Sequence, residues 1–460
     1  MDLADIDRPA DRAYDAAVND ERGGLCATDM ILRGTIPAKT RARPAAPPAA
    51  ASRLARAVDG ERIDRDGKIP DDLIARLRRE GAFGWNLPRR HGGGGLGPPR
   101  YHAAIAAVAE RSLALAMRLT THQSLGAAAL VCAFGTEAQK AELLTRMAAG
   151  EETALAVSEE GPGADPAAAT ARARRDGGDY VLTGRKMWVS GALSARWLAV
   201  LAQAPGGPAM FVVDARAPGI RLEPIAFMGL RGLGNALVIF DRARVPSSRR
   251  VGAEGSGARL ALAVVGRGRL TIVARALGLA RAAKSHAEAW TRERGISRRP
   301  AISARLARIS RIVARLAALD AAAAAGLSGR ADSAAAKLYA GRAAWEAADA
   351  LVQLRGSRGY ETAASQRARG ELPVPAERLL RDARGLRLAE GAEDLMRAFL
   401  ARRGLELARA TRRGKKSPGP LGERAAALAE GFERLSRGRG VWPRALELAD
   451  EAVEILAEAV

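Results

Sequence analysis

The sequence is poor in the residues that most often announce chemistry. Only two cysteines, Cys26 and Cys132, occur in 460 residues. That excludes a disulfide framework and a Cys-rich metal site. The four histidines, His91, His102, His122 and His286, are scattered without ligand spacing, so no metal centre is expected. Aromatic residues make up 4% of the chain, which argues against base stacking on single-stranded nucleic acid. No run approaches roughly 18 uncharged apolar residues, so no membrane span is expected. The opening "MDLADIDRPADRAYD" is acidic and has no apolar signal core. A reducing cytoplasm is the expected compartment.

What the sequence does contain is Arg and Ala. Lys and Arg number 73 against 51 Asp and Glu, a formal charge of +22. Such an excess can serve nucleic acid, an anionic membrane surface or a polyanionic substrate. Here it is nearly all Arg and travels with Ala, Gly and Pro, the mix that a GC-rich coding sequence produces. Composition bias is the simpler cause. Hydrophobic residues at 48% make a packed core feasible, built mostly from Ala, Leu, Val and Ile.

The texture changes along the chain. Residues 1–52, with "TIPAKTRARPAAPPAAASR", read as a flexible Pro/Ala/Arg-rich leader. Residues 53–152 read as a helical domain. "IPDDLIARLRREGAF" spaces Ile69, Leu73 and Leu77 four apart, and Thr136 and Gly150 bracket "EAQKAELLTRMAA" as cap and stop. Between these helices, Gly92, Gly94 and Gly97 match G-x-G-x-x-G, but no βαβ unit surrounds them, so a loop is expected. Residues 153–252 are short, β-branched runs such as "DYVLTGRKMWVSGA" and "AMFVVDA", which read as a small β-domain. Residues 253–411 return to helices. Residues 412–460 open on the basic linker "TRRGKKSPGPLG" and then turn helical. Helices, then strands, then a bundle is an α+β order.

Six motifs in this order resemble the acyl-CoA dehydrogenase family. They are "LAVSEEGPGADPAA" (155–168), "GRKMWVSGA" (184–192), "FMGLRGLGNALVIFDRARVP" (227–246), "GRLTIVARALGLARAA" (268–283), "AKLYAGRAAWEAADALVQLRGSRGY" (336–360) and "RLLRDARGLRLAEGAEDLMRAFLARRGL" (378–405). The resemblance covers about residues 65–411 and leans toward the longer, very-long-chain-like branch. It implies an N-terminal all-α domain, a central small β-barrel-like domain and a C-terminal four-helix bundle. It also implies FAD and an acyl-CoA substrate. Ser158, Trp188 and Ser190 would meet the flavin ring. Arg294, Gln353, Gly356 and Gly359 would pass near the dinucleotide, partly from a neighbouring copy. Arg269, Gly391 and Ala164 would lie at the substrate. The implied assembly is a homodimer or homotetramer, and the implied electron acceptor is an electron-transfer flavoprotein or another oxidant.

Glu390 is the matching base. It would take the α-proton of the thioester while the β-hydrogen leaves as hydride. Leu388 and Ala389 suggest a dry pocket that would favour the neutral acid. Gly391 would leave room for substrate. Gly268 stands where some relatives carry an alternative Glu base. Two departures stand out: Ala164 replaces a usual Ser, and "RERGISRRPAISARLARIS" (292–310) lacks the aromatic residue and Gln of the related FAD loop. Two other expectations stay open, the first from these departures and the second from the +22 charge. One is a non-catalytic binding or assembly paralogue with weakened FAD binding. The other is a DNA-binding relative of the same fold.

Overall fold

The structure, a computed structural model, describes residues 43–163, 165–327, 330–409, 420–436 and 441–459, together with Thr28 and Ile31. Ala164 and most of the 1–52 leader and the 412–419 linker lie outside the described residues. The chain divides into two compact units, one formed mainly by residues 49–101 and 114–268, the other mainly by 102–113 and 269–460.

The first unit holds short helices ahead of one sheet. Helices α1 (Ala49–Ala57), α2 (Gly60–Asp66) and α3 (Asp71–Arg79) come first. Thus the expected boundary between residues 52 and 53 falls inside α1. After α4 (Pro98–Ala109), whose residues from His102 belong to the second unit, and α5 (Leu113–Thr120) comes a π-turn at Thr121–Leu125, then α6 (Ala127–Phe134) and α7 (Glu137–Ala148). The Gly92–Gly97 segment is loop, folded back by Gly94 N–H to Gly84 O and Gly95 N–H to Leu87 O. At α7 the Thr136 hydroxyl accepts from Gln139 N–H at 3.2 Å, and Gln139 Oε1 accepts from Thr136 N–H at 3.0 Å. This reciprocal cap explains why the helix begins there.

The strands run from Thr153 to Val251 as one eight-stranded sheet: β1 (Thr153–Ala156), β2 (Arg172–Asp176), β3 (Asp179–Val189), β4 (Trp197–Ala204), β5 (Gly207–Asp214), β6 (Ile220–Pro224), β7 (Ala236–Pro246) and β8 (Arg250–Val251). The order is β6-β7-β3-β2-β4-β5-β8, with β1 parallel to β4. Strand β4 is apolar at nearly every position because it is buried on both faces. Leu198 and Val200 join Phe211 and Val238 on one side. Trp197, Ala199 and Leu201 meet Leu130, Leu144 and Leu260 on the other.

The second unit is helical. After α8 (Gly257–Glu293), whose residues from Arg269 belong here, come α9 (Pro300–Ala325), α10 (Arg330–Arg355), the short α11 (Ser357–Tyr360) and α12 (Ala363–Ala368), α13 (Ala376–Leu388) and α14 (Glu393–Arg409). Two terminal helices, α15 (Pro420–Ser436) and α16 (Trp442–Ala459), pack onto α14. Gly404 makes that approach possible, since a Cβ there would sit 2.5 Å from the Phe432 ring. Asp450 on α16 also receives Arg342 and Arg397. Among the described residues no helix is long and apolar enough to cross a membrane.

Candidate active site

Glu390 sits in the turn between α13 and α14. Helix α13 stops at Leu388, Ala389 takes an extended conformation, and Glu390 itself adopts a left-handed φ of +59°. A non-glycine residue rarely holds that conformation unless its surroundings impose it. Here three cationic side chains do so. Arg269 Nε donates to the Glu390 carbonyl at 2.7 Å. Lys337 Nζ donates to the Gly391 carbonyl at 2.5 Å and to the Arg387 carbonyl at 2.9 Å. Arg275 Nη2 donates to Glu390 Oε1 at 2.5 Å.

The carboxylate is only 6% exposed. What buries it differs from expectation. Leu388 is 54% exposed and points away to solvent, so it does not wall a dry pocket. The nearest partner is the fully buried Arg275 guanidinium. Gly391 has close neighbours. A Cβ there would meet Met396 Cε at 2.8 Å and Arg269 Nη2 at 3.2 Å, so glycine admits the close packing of Met396 and Arg269. Its φ of +109° adds to that need.

Burial, together with the neighbouring Arg269 guanidinium, pushes the Lys337 ammonium down to about 8; Glu390 and Glu393 oppose the shift. Glu393, at the start of α14, is held by Arg342 at 2.8 Å and Arg387 at 2.5 Å, which ties the far side of the turn. Two buried atoms in this site lack a hydrogen-bond partner: Glu390 Oε2 and Arg275 Nη1. The backbone N–H of Glu390 also has none among the described residues.

In the first unit, the motif residues gather around β3. Met187 N–H donates to the Ser158 carbonyl at 2.9 Å, which lays the 157–163 turn along the strand. Beneath it, Lys186 Nζ reaches Glu159 Oε1 at 2.6 Å and the Val157 carbonyl at 3.1 Å. Glu159 also accepts from Thr170 N–H at 2.7 Å and Ala171 N–H at 3.1 Å. Lys186 is wholly buried, and the next residue but one, Trp188, is 46% exposed. Simple alternation would put both on one face. A bulge opposite β7 between Lys186 and Val189 inserts an extra residue, and Trp188 takes a φ of +55°. The indole is thereby turned outward. Ser158 and Ser190 are part-exposed, and neither hydroxyl has a hydrogen-bond partner among the described residues.

Of the remaining expected residues, Arg294 meets a tryptophan of the second unit. Arg294 lies over the Trp290 ring at 5.4 Å, and Arg355 and Arg358 approach the same ring at 4.4 and 5.7 Å. Trp290 Nε1 donates to the Leu354 carbonyl at 3.2 Å. Gln353 is exposed, Gly356 is exposed with a φ of +61°, and Gly359 is pressed against the Val352 backbone. Arg355 Nε is buried without a partner. This cationic platform accompanies the loop that lacks the expected aromatic residue and Gln.

His122, two residues before Ser124, is not part of a nucleophilic pair. Its Nδ1 accepts from Thr153 N–H at 3.1 Å, so its Nε2 must donate to Met147 O at 3.2 Å. Ser124 instead meets the Tyr101 hydroxyl. Among the described residues no cluster of three or more His, Cys, Asp or Glu side chains could hold a metal ion.

Sequence reasoning missed Arg275, Lys337, Lys186 and Trp290. Only Lys186 left a signal: a charged residue two positions from a tryptophan in an otherwise alternating strand.

Three family models match the chain: the N-terminal domain of acyl-CoA dehydrogenases over residues 49–151, the middle domain over 154–243 and the C-terminal domain over 255–405. The chain is 38% identical over 370 residues to the probable acyl-CoA dehydrogenase FadE10 of Mycobacterium tuberculosis, covering 76% of this chain and 57% of that protein. It therefore spans little more than half the length of that relative. It is 30% identical over 361 residues to an acyl-CoA dehydrogenase of Bacillus subtilis, covering 74% and 92%. The solved structure of a probable acyl-CoA dehydrogenase from Mycobacterium abscessus superposes with a TM-score of 0.69 at 26% identity, covering 77% and 96%.

Proposed function

We propose that this chain, which belongs to the acyl-CoA dehydrogenase family, oxidises an acyl-CoA thioester to a trans-2-enoyl-CoA with Glu390 as the base. One observation carries the reading. Glu390 is a deeply buried carboxylate with one oxygen and its backbone pinned, and its other oxygen, Oε2, is unpartnered.

An α-proton beside a thioester is weakly acidic. Its removal needs a base within reach and donors on the carbonyl oxygen. Glu390 Oε2 is the base atom. The Glu390 N–H supplies one donor to the thioester oxygen, and the extended Ala389 before it is what turns that N–H away from the helix hydrogen bonding of α13.

The residues present fit a flavin dinucleotide. An indole held 46% exposed by a strained bulge is costly without a planar partner, and Trp188 offers that face beside the Ser158 and Ser190 hydroxyls. Arg294, Arg355 and Arg358 around Trp290, with Gln353 and Gly356, suit a pyrophosphate. When bound, FAD supplies the acceptor for the β-hydrogen. Electrons would pass on to an electron-transfer flavoprotein or another oxidant.

A second copy of the chain is the expected partner. Tyr360, Leu372 and Leu395, 84%, 90% and 54% exposed, are among the apolar side chains the second unit offers to such an interface. Analytical ultracentrifugation tests this.

The function is tested on the purified full chain loaded with FAD. The flavin absorbance should bleach anaerobically with an acyl-CoA of some chain length. Glu390→Gln should keep the flavin and lose the bleaching. Absence of any flavin binding, with intact oligomers, would instead support the binding-protein reading.

A further inference from the structure

The cation that pins Glu390 Oε1 has no stated part in the mechanism above. Arg275 lies on α8, six residues beyond Arg269, with its side chain 0% exposed. Its own helix steadies it: Nε donates to the Thr271 carbonyl at 3.3 Å and Nη2 to the Thr271 hydroxyl at 3.4 Å. Nη2 also donates to Glu390 Oε1 at 2.5 Å.

The pairing is single, not forked. Arg and carboxylate frequently close two parallel hydrogen bonds. Here Nη1 and Oε2 are both buried and both empty. Leaving a buried donor and a buried acceptor unmatched on one ion pair is unfavourable, so the arrangement serves something other than the stability of the pair. A free Glu carboxylate also turns readily about its last bond, and its two oxygens exchange places. Fixing Oε1 removes that freedom. The backbone below is fixed as well, by Arg269 on the Glu390 carbonyl and Lys337 on the Gly391 carbonyl.

We propose that Arg275 is the positioning residue of the base: it locks Glu390 Oε1 and so presents Oε2 alone to the substrate α-carbon. The proposal rests on the reading of Glu390 as the base. In the step it serves, the Cα–H bond breaks and the proton moves to Oε2. The electron pair stays on the substrate and forms the new Cα–Cβ π-bond, and FAD, when bound, would supply the acceptor for the hydrogen lost from Cβ. Arg275 gains and loses nothing; it holds the acceptor atom in place.

The test compares the FAD-loaded full chain with Arg275→Gln, Arg275→Lys and Glu390→Gln. Two rates are read: anaerobic flavin bleaching at saturating acyl-CoA, and exchange of α-hydrogen in D2O followed by mass spectrometry. The second needs the base but no oxidation. A misplaced base should slow both rates by about 10²-fold in Arg275→Gln, while the acyl-CoA dissociation constant moves less than ~3-fold. Flavin content and circular dichroism should match the parent. Arg275→Lys keeps a donor and should recover part of both rates. If Arg275→Gln does not fold, Arg275→Lys alone decides, because a shorter, unforked donor should still slow exchange. Unchanged exchange in the variants overturns the proposal, and so does a faster rate, which would make the ion pair a brake. If Glu390→Gln exchanges and bleaches normally, the base assignment itself falls. If Glu390→Gln is inactive and Arg275→Gln is normal, only the role of Arg275 falls.

Discussion

Replacing Lys186 by Met should destabilise the first unit by several kcal/mol. Lys186 is fully buried, and its ammonium is paired with Glu159 Oε1 at 2.6 Å. Removing one partner of a buried ion pair typically costs about 3–5 kcal/mol, because the other charge is left without compensation. Glu159 would keep three hydrogen bonds, from Thr170 N–H, the Thr170 hydroxyl and Ala171 N–H. Those bonds place the expected loss at the lower end, about 3 kcal/mol. For a unit of this size that is a fall of roughly 6–12 °C in melting temperature. The double variant Lys186→Met/Glu159→Gln leaves no buried charge and should be more stable than Lys186→Met alone. The pH dependence has a definite sign. Burial raises the Glu159 pKa, but the hydrogen bonds from Lys186 and Thr170 outweigh it and hold the carboxyl below its ordinary range. Its stabilisation is therefore complete above the ordinary carboxylate pKa and disappears as pH falls through the folded value. Thermal and urea unfolding of the full chain, followed by circular dichroism, measures all of this. A Lys186→Met loss under about 1 kcal/mol, or a double variant no better than the single, would refute the reasoning.

Other perturbations have equally direct outcomes. Burial lowers His122 to about 4, so the folded protein resists its protonation. Stability should fall between pH 6.5 and 4 by up to about 3 kcal/mol from this residue, and His122→Gln should flatten that part of the urea-midpoint profile. Lys337 is lowered to about 8, so its burial penalty is present at neutral pH and relieved as pH rises from about 8 toward 10.4; Lys337→Met should remove that rise from thermal melts. Trp188→Gly should change stability by less than about 1 kcal/mol, since the side chain is half-exposed and its φ suits glycine, yet weaken flavin binding at least ~10-fold in a fluorescence titration. Gly391→Ala places a Cβ 2.8 Å from Met396 Cε at a φ of +109°; a loss of about 1–3 kcal/mol is expected in urea unfolding.

Much of this molecule was readable from periodicity. The β-branched runs of 153–252 became a sheet because alternation and bounding Gly and Asp residues leave few other choices. The cap at Thr136 was readable because both of its partners lie within four residues. Arg275 was not, because its carboxylate is 115 positions away and no local rule links them. Lys186 left a local trace in the alternation of β3, but its partner Glu159, 27 positions away, did not. The exposure of Leu388 is different, since it could have been seen. Leu379, Ala383 and Leu386 form the buried stripe of α13 at spacings of four and three, and Leu388 falls two residues past it, on another face. The resemblance drew attention to the turn and away from the phase of the helix leading to it.

The bulge in β3 makes parity a functional quantity. Up to Lys186 the even-numbered residues Tyr180, Leu182 and Lys186 are buried; beyond it Val189 is buried and Trp188 is not. The strand changes frame within three residues, and a buried ammonium and an outward indole stand two apart on it only for that reason. Deleting Met187 would remove the bulge and restore simple alternation, with the indole outward and Val189 buried. Inserting one residue would shift Val189 and Ser190 together. Substitution can tune this strand gradually, whereas any change in its length is all or none.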